Sequence, residues 1–152
     1  MTRRPSAPHS RHLLLAALAC GLLIAPLGAE AARAPAPVVR PVTTFDDDRF
    51  GGVLATRAGQ ALYWWNRERD GRVRCTGSCA KAWPPLIVPK RARVPATIRG
   101  VKGRFGIVRR PDGRRQVTYQ GRPIYAYAHE GPRQVLCNNV DGWFVARARG
   151  LT

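Results

Sequence analysis

Tyr63, Trp65 and Glu68 recur 62 residues further on as Tyr125, Tyr127 and Glu130. Both triplets read Tyr-x-aromatic-x-x-Glu, in YWWNRE and YAYAHE, and each follows Gly-x-x-aliphatic, in GQAL and GRPI. Three kinds of chemistry suit such residues. Rings on one strand face make a stacking platform for sugars or bases. A tyrosine beside a carboxylate makes a redox relay, the phenol losing an electron while glutamate takes its proton. Glu68 facing Glu130 makes a glycosidase-like acid–base pair, for which so small a module has little room. Architecture is the competing explanation. Aromatic pairs on one face bury large areas and gain about 0.5–1.5 kcal/mol beyond that burial. A duplicated β-unit needs the same core rings twice, so core packing is the expectation, with the Glu in a turn accepting backbone N–H groups or pairing with Arg.

Cys75, Cys79 and Cys137 form the second reactive set. In an oxidising compartment an odd number of cysteines leaves one thiol over. Thr-Gly-Ser between Cys75 and Cys79 permits a tight turn, and a bridge there contributes about 2 kcal/mol in the chain-entropy model. That pairing, the expected one, leaves Cys137 spare. A Cys75–Cys137 bridge is the alternative and would join equivalent positions of the two copies. Left as thiols, Cys75 and Cys79 with His129 would suit Cu(I) or disulfide exchange. No cofactor or metal is implied. Gly-x-Ser-x-Gly, His-Glu-x-x-His and phosphate-cradling glycine loops do not occur. His129 is the only histidine beyond residue 12, too few for a three-His centre. Asp46, Asp47 and Asp48 are adjacent rather than alternating, which suits a solvated loop better than a Ca²⁺ site. No catalytic residue is assigned.

Strands and turns must position these groups. GVLAT, the turn Arg57–Gln60 and ALYWW read as a hairpin. FGIVRR, PDGR, RQVTY, QGRP and PIYAYA read as a three-strand meander, Pro presetting φ and Gly tolerating positive φ in the turns. A last strand covers Trp143–Ala148. CAKAWPP allows one helical turn near Cys79–Trp83, stopped by Pro84-Pro85, and Lys90–Lys102 reads as a connector. The frame G-x-x-[LI]-Y-x-[WY]-x-x-E-x(4)-V-x-C occurs twice at one constant offset. The expectation is an all-β domain over 45–152, a small two-repeat β-sandwich or barrel-like module with repeats at about 45–89 and 101–152.

Ahead of it, Arg3, Arg4 and Arg11, the apolar run LLLAALACGLLIAPL and Ala29-Glu30-Ala31 have the layout of a signal peptide over 1–31. The run is short for a membrane span and broken by Pro26. Cys20 offers a lipid-anchoring alternative, although Ala17-Leu18-Ala19 makes a poor lipobox. Residues 32–44, rich in Pro and Ala, read as an extended tether. The whole chain carries a net charge of +17, and beyond residue 31 there are 23 basic and 8 acidic residues, nearly all the bases being Arg. Such a field attracts lipid head groups and acidic polysaccharide, and weakens with salt. Recognition of a specific nucleic acid is not implied.

The phrases CTGSCAKAWPPL, Cys75–Leu86, and RRPDGRRQVTYQGRPIYAY, Arg109–Tyr127, resemble the bacterial secreted-repeat family of exported proteins and predicted lipoproteins. That family, of unknown function, is marked by Tyr-x-aromatic-x-x-Asp. The resemblance spans Phe50–Val145 and implies an extracytoplasmic β-rich module. Glu68 and Glu130 stand where the family has Asp, and Cys137 is not part of its pattern. The expected function is an exported, non-catalytic binding or scaffolding module of the envelope with affinity for anionic partners. The alternative is an extracytoplasmic redox, electron-transfer or copper-handling protein using Cys75, Cys79 and the aromatic cluster.

Overall fold

The computed structural model describes residues 34–151. The signal-peptide and Cys20 readings lie outside them. Val42–Asp47 (β1) and Gly51–Thr56 (β2) form an antiparallel hairpin, in register from Val42↔Thr56 to Asp47↔Gly51. Asp47 closes the turn: its Oδ1 accepts the N–H groups of Arg49 and Phe50 at 3.0 and 3.2 Å. Short polar side chains favour turns for this reason. Tyr63–Trp65 (β3) follows and leads into a 3₁₀ turn, Asn66–Glu68. Gly77–Ala82 (α1) is the short helix; the Trp83 N–H bonds the Cys79 carbonyl and Pro84 prevents continuation. Ile87–Val88 (β4) completes the first half.

The second half repeats the opening hairpin. Phe105–Arg109 (β5) pairs with Arg115–Tyr119 (β6), from Phe105↔Tyr119 to Arg109↔Arg115, around the Pro111-Asp112-Gly113 turn. The other edge of β6 is shared by β4 and by Arg122–Pro123 (β7). Trp143–Val145 (β8) pairs antiparallel with β3 of the first half. The result is a small mostly-β module of several small sheets, without a closed barrel among the described residues.

Three boundaries differ from those read in the sequence. The first strand starts at Val42, inside the segment taken as a tether, and Val42 is buried. Farther upstream, the Val39 N–H bonds the Arg93 carbonyl and the Arg93 N–H bonds that of Pro37, both at 2.9 Å. Neither segment has an apolar period, so their pairing leaves no trace in composition. PIYAYA is not a continuous strand either. Only Arg122–Pro123 is laddered, and Tyr125 instead bridges both Tyr63 and Pro85. Finally, β8 ends at Val145, and Arg147 makes an isolated bridge to Val53.

The core has two parts. Leu54, Leu62, Trp64, Val117, Tyr119 and Ile124 centre one; Phe45, Val53, Tyr63, Trp83, Tyr125 and Trp143 centre the other. Tyr63 and Trp64 point to opposite faces of β3, as strand neighbours must, and so enter different clusters. Fully burying one large apolar side chain contributes about 1.5–3 kcal/mol. Close packing also constrains the backbone: a Cβ on Gly71 would lie 2.7 Å from the Gly121 carbonyl oxygen, and its φ of +78° already disfavours a side chain.

Candidate functional site

Tyr63 and Tyr125 meet backbone to backbone. Each N–H bonds the other's carbonyl, at 2.8 and 2.9 Å. This reciprocal pairing of two extended residues carries each side chain into the other half of the domain. The Tyr63 hydroxyl donates to Glu130 Oε1 at 2.6 Å. The Tyr125 hydroxyl donates to Glu68 at 3.0 Å (Oε1) and 2.8 Å (Oε2). The repeated motif is therefore crossed: the tyrosine of each copy binds the glutamate of the other. All four side chains are buried.

Each glutamate reaches its place because a turn follows the aromatic residues of its motif. Glu68 Oε1 accepts the N–H groups of Arg74 at 2.5 Å and Cys75 at 2.8 Å. Glu130 Oε1 accepts the Leu136 N–H at 2.5 Å. The carboxylates thus hold the loops that carry the cysteines, supplying acceptors to backbone donors that burial would otherwise orphan. Charge-assisted bonds of this type are about twice as strong as neutral ones. An arginine partner for either carboxylate, the other possibility read in the sequence, is not among the ion pairs of the described residues.

Phenol and carboxylate shift one another. Burial first, then the bond to and charge of Glu130, push the Tyr63 phenol well above the usual phenol range. Burial and the Glu68 charge do the same to Tyr125. Burial pushes the Glu130 carboxyl up against the opposing bonds from Tyr63 and Leu136. Removing a charged form from water disfavours it in all three cases.

A run of rings lies beside these pairs. Trp83 and Trp143 stack at 3.9 Å between centroids, 8° from parallel. Trp65 extends the run from Trp143, at 5.2 Å and 3°, and Tyr127 extends it from Trp83, at 4.7 Å and 35°. His129 meets Tyr127 edge-on at 5.4 Å. The buried tyrosines abut the central stack edge-on, Tyr63 against Trp83 at 5.3 Å and Tyr125 against Trp143 at 5.1 Å. Trp65 and Tyr127 are half-buried, so the run reaches the surface at both ends.

Tyr63 and Trp65 are a strand-face pair on β3 as expected, whereas Tyr125 and Tyr127 lie beyond β7 outside any strand; all four rings border this one cluster. Sequence reading missed Trp83 and Trp143. Their offset is 60 rather than 62 residues, so the constant-offset frame passed them over. Tolerance of a two-residue slip would have found them. It also missed Arg110, which is 3% exposed and donates to Gln116 Oε1 at 2.5 Å and the Cys75 carbonyl at 2.8 Å.

Cys75 and Cys79 form the disulfide, leaving Cys137 as the free cysteine of the described residues. Burial and the Glu130 charge push its thiol up, against a bond from the Tyr127 hydroxyl. With Cys75 and Cys79 joined, their sulfurs are not available as thiolate ligands alongside His129. No group of three His, Cys, Asp or Glu side chains suited to a metal occurs among the described residues. Nor is any helix there long and apolar enough to cross a membrane.

Comparison with family models, with curated proteins and with solved structures finds no match to this chain. What the geometry defines is a small β-domain with one disulfide, a continuous aromatic cluster and two buried tyrosine–carboxylate pairs.

Proposed function

We propose that this domain is an extracytoplasmic electron-transfer module in which the ring stack is the conducting element. The observation that carries the reading is the run Trp65–Trp143–Trp83–Tyr127, four rings in succession with half-buried ends. Electron exchange between rings falls steeply with separation, so contact between successive rings is the requirement that matters. Tryptophan and tyrosine are also the side chains most easily oxidised by one electron without leaving the chain. A buried phenol cannot release its proton to water; here each of two phenols has a carboxylate within hydrogen-bond distance. Copper handling is disfavoured by the joined state of Cys75 and Cys79. Export is supported by that disulfide, which persists in oxidising compartments, by the leader-like layout of residues 1–31 and by the resemblance to secreted-repeat proteins.

Flash photolysis with a soluble ruthenium polypyridyl oxidant tests the reading. Transient absorption should show a tryptophan radical that passes its oxidation to tyrosine within the folded protein. Trp143→Phe, which shortens the central stack, should slow that transfer. Equal kinetics in the variant, or radicals that never leave the residue first oxidised, would refute conduction through the stack.

A second reading, affinity for anionic envelope components, has its own observation. A cleft of about 420 Å³ is lined by Lys90, Arg109 and Arg115 with Ile107 and Gly113, and no carboxylate is in that lining. Binding to vesicles containing phosphatidylglycerol, reduced by salt and by Lys90→Glu with Arg109→Glu, tests it; absence of binding at low salt removes it.

A further inference from the structure

The two tyrosine–glutamate pairs are equivalent in sequence but not in environment. Around Glu68 both carboxylate oxygens have partners. Its two oxygens accept the Tyr125 hydroxyl, and Oε1 also takes the N–H groups of Arg74 and Cys75. Arg110 lies behind that loop, donating to the Cys75 carbonyl, and its charge acts on the Tyr125 phenol. Around Glu130 the pattern is thinner. Oε1 accepts Tyr63 and Leu136, while Oε2 is buried without a partner. No buried cation stands there: the site corresponding to Arg110 in the first hairpin is Asp47, because Asp47↔Gly51 matches the Arg110–Arg114 hydrogen bond of the second. Arg49, which donates to the Val135 carbonyl of the Glu130 loop, is exposed.

These differences bear on which carboxylate can receive a proton. Both Glu68 oxygens are already engaged by the Tyr125 hydroxyl, and Oε1 also holds two backbone donors through charge-assisted bonds. Protonating Glu130 removes a charge that burial already disfavours. It also turns the unpartnered Oε2 from half of a carboxylate into a neutral carbonyl oxygen, which costs far less to leave without a donor. The remaining tyrosines lack a base. Tyr119 donates to the Lys102 and Arg147 carbonyls, which cannot hold a proton, and Tyr127 faces the Cys137 thiol.

Resting on the electron-transfer reading, we infer that Tyr63 is the ring that is reversibly oxidised and Glu130 its proton acceptor, Tyr125–Glu68 being a structural clamp. The step balances. An oxidised Trp83 radical cation takes one electron from Tyr63 through their edge contact. The phenol O–H bond breaks, an O–H bond forms on Glu130 Oε1, and neutral Trp83, a neutral tyrosyl radical and a carboxylic acid remain. Reduction by an outside one-electron donor returns the proton to the phenol. The initial oxidant is any one-electron acceptor able to oxidise a half-buried end of the stack.

The test oxidises the disulfide-bonded protein with photogenerated ruthenium(III) polypyridyl and follows tyrosyl radical by electron paramagnetic resonance. Tyr63→Phe should abolish the buried tyrosyl signal and Tyr125→Phe should leave it. Glu130→Gln should slow its formation by roughly 10²-fold, the range of a lost general base, and Glu68→Gln should leave the rate within about twofold of wild type on the same scale. Because these variants are buried, wild-type protein supplies an independent readout. Its light-minus-dark infrared spectrum should gain a protonated carboxyl band and lose carboxylate, and radical formation should slow in D₂O. A radical that persists in Tyr63→Phe but vanishes in Tyr125→Phe, or a wild-type spectrum without the carboxyl band, overturns this assignment and leaves the relay standing. Absence of any tyrosyl radical in folded wild type overturns the relay itself.

Discussion

Tyr63 and Tyr125 exchange both of their backbone hydrogen bonds, at 2.8 and 2.9 Å, and so exchange glutamates as well. This crossing makes the two halves mutually dependent. Each tyrosine bonds a carboxylate of the other copy's turn, and each of those carboxylates also holds backbone N–H groups of its own loop.

Glu130 predicts an unusual pH dependence. Burial raises its folded-state value above the ordinary 4.5, so the folded protein binds that proton more tightly than the unfolded chain. Its contribution is therefore complete below pH 4.5 and is lost as pH rises through the folded-state value. Urea unfolding of wild type and Glu130→Gln across pH 4–8 should show the stability difference, wild type minus variant, falling as pH rises. A flat or rising difference contradicts the burial argument.

Arg110 is expected to be among the costliest polar residues to replace. Arg110→Met leaves the Gln116 side-chain oxygen and the Cys75 carbonyl buried without their donor. The loss should be about 2–4 kcal/mol, the range for unpairing buried groups. Replacing exposed Arg114, bonded to Asp112, by Ala should change stability far less than the Arg110 substitution does. Denaturant midpoints at constant slope measure both.

Trp143 touches Trp65, Trp83 and Tyr125, whereas Trp65 packs on Trp143 at the half-buried end of the run. Trp143→Ala should cost about 3–5 kcal/mol as a buried large-to-small change, and Trp65→Ala distinctly less. Equal losses would show that the centre of the stack is not the centre of the packing.

Cys137 should react slowly with iodoacetamide in the native state, with a midpoint above the ordinary thiol value of 9.0. Glu130→Gln removes an anion that opposes the thiolate and should lower that midpoint; Tyr127→Phe removes a hydrogen bond that favours it and should raise it. Rate against pH for the three proteins checks the signs.

The turns and hairpins were legible because their signals are local. Pro111-Asp112-Gly113 specifies its turn through φ preferences within three residues, and the repeated Tyr-x-aromatic-x-x-Glu frame marks the two segments that meet at Tyr63 and Tyr125. The Cys75–Cys79 bridge was legible for the same reason, since only three residues separate the partners. Pairing of Val39 with Arg93 was not, because neither segment carries an apolar period to announce a neighbour. The Trp83–Trp143 stack stayed hidden behind a two-residue slip.

From the order of residues alone came the β character, the doubling and the identity of the groups able to do chemistry, since each follows from side-chain type and short spacing. Tertiary structure alone decided that the motifs cross, that tryptophans from the two halves meet face to face, and that one glutamate has an arginine behind it while the other has an oxygen without a partner. Those are differences of position and dielectric surroundings. Two copies of one sequence phrase acquire them only when the rest of the chain closes around them unequally.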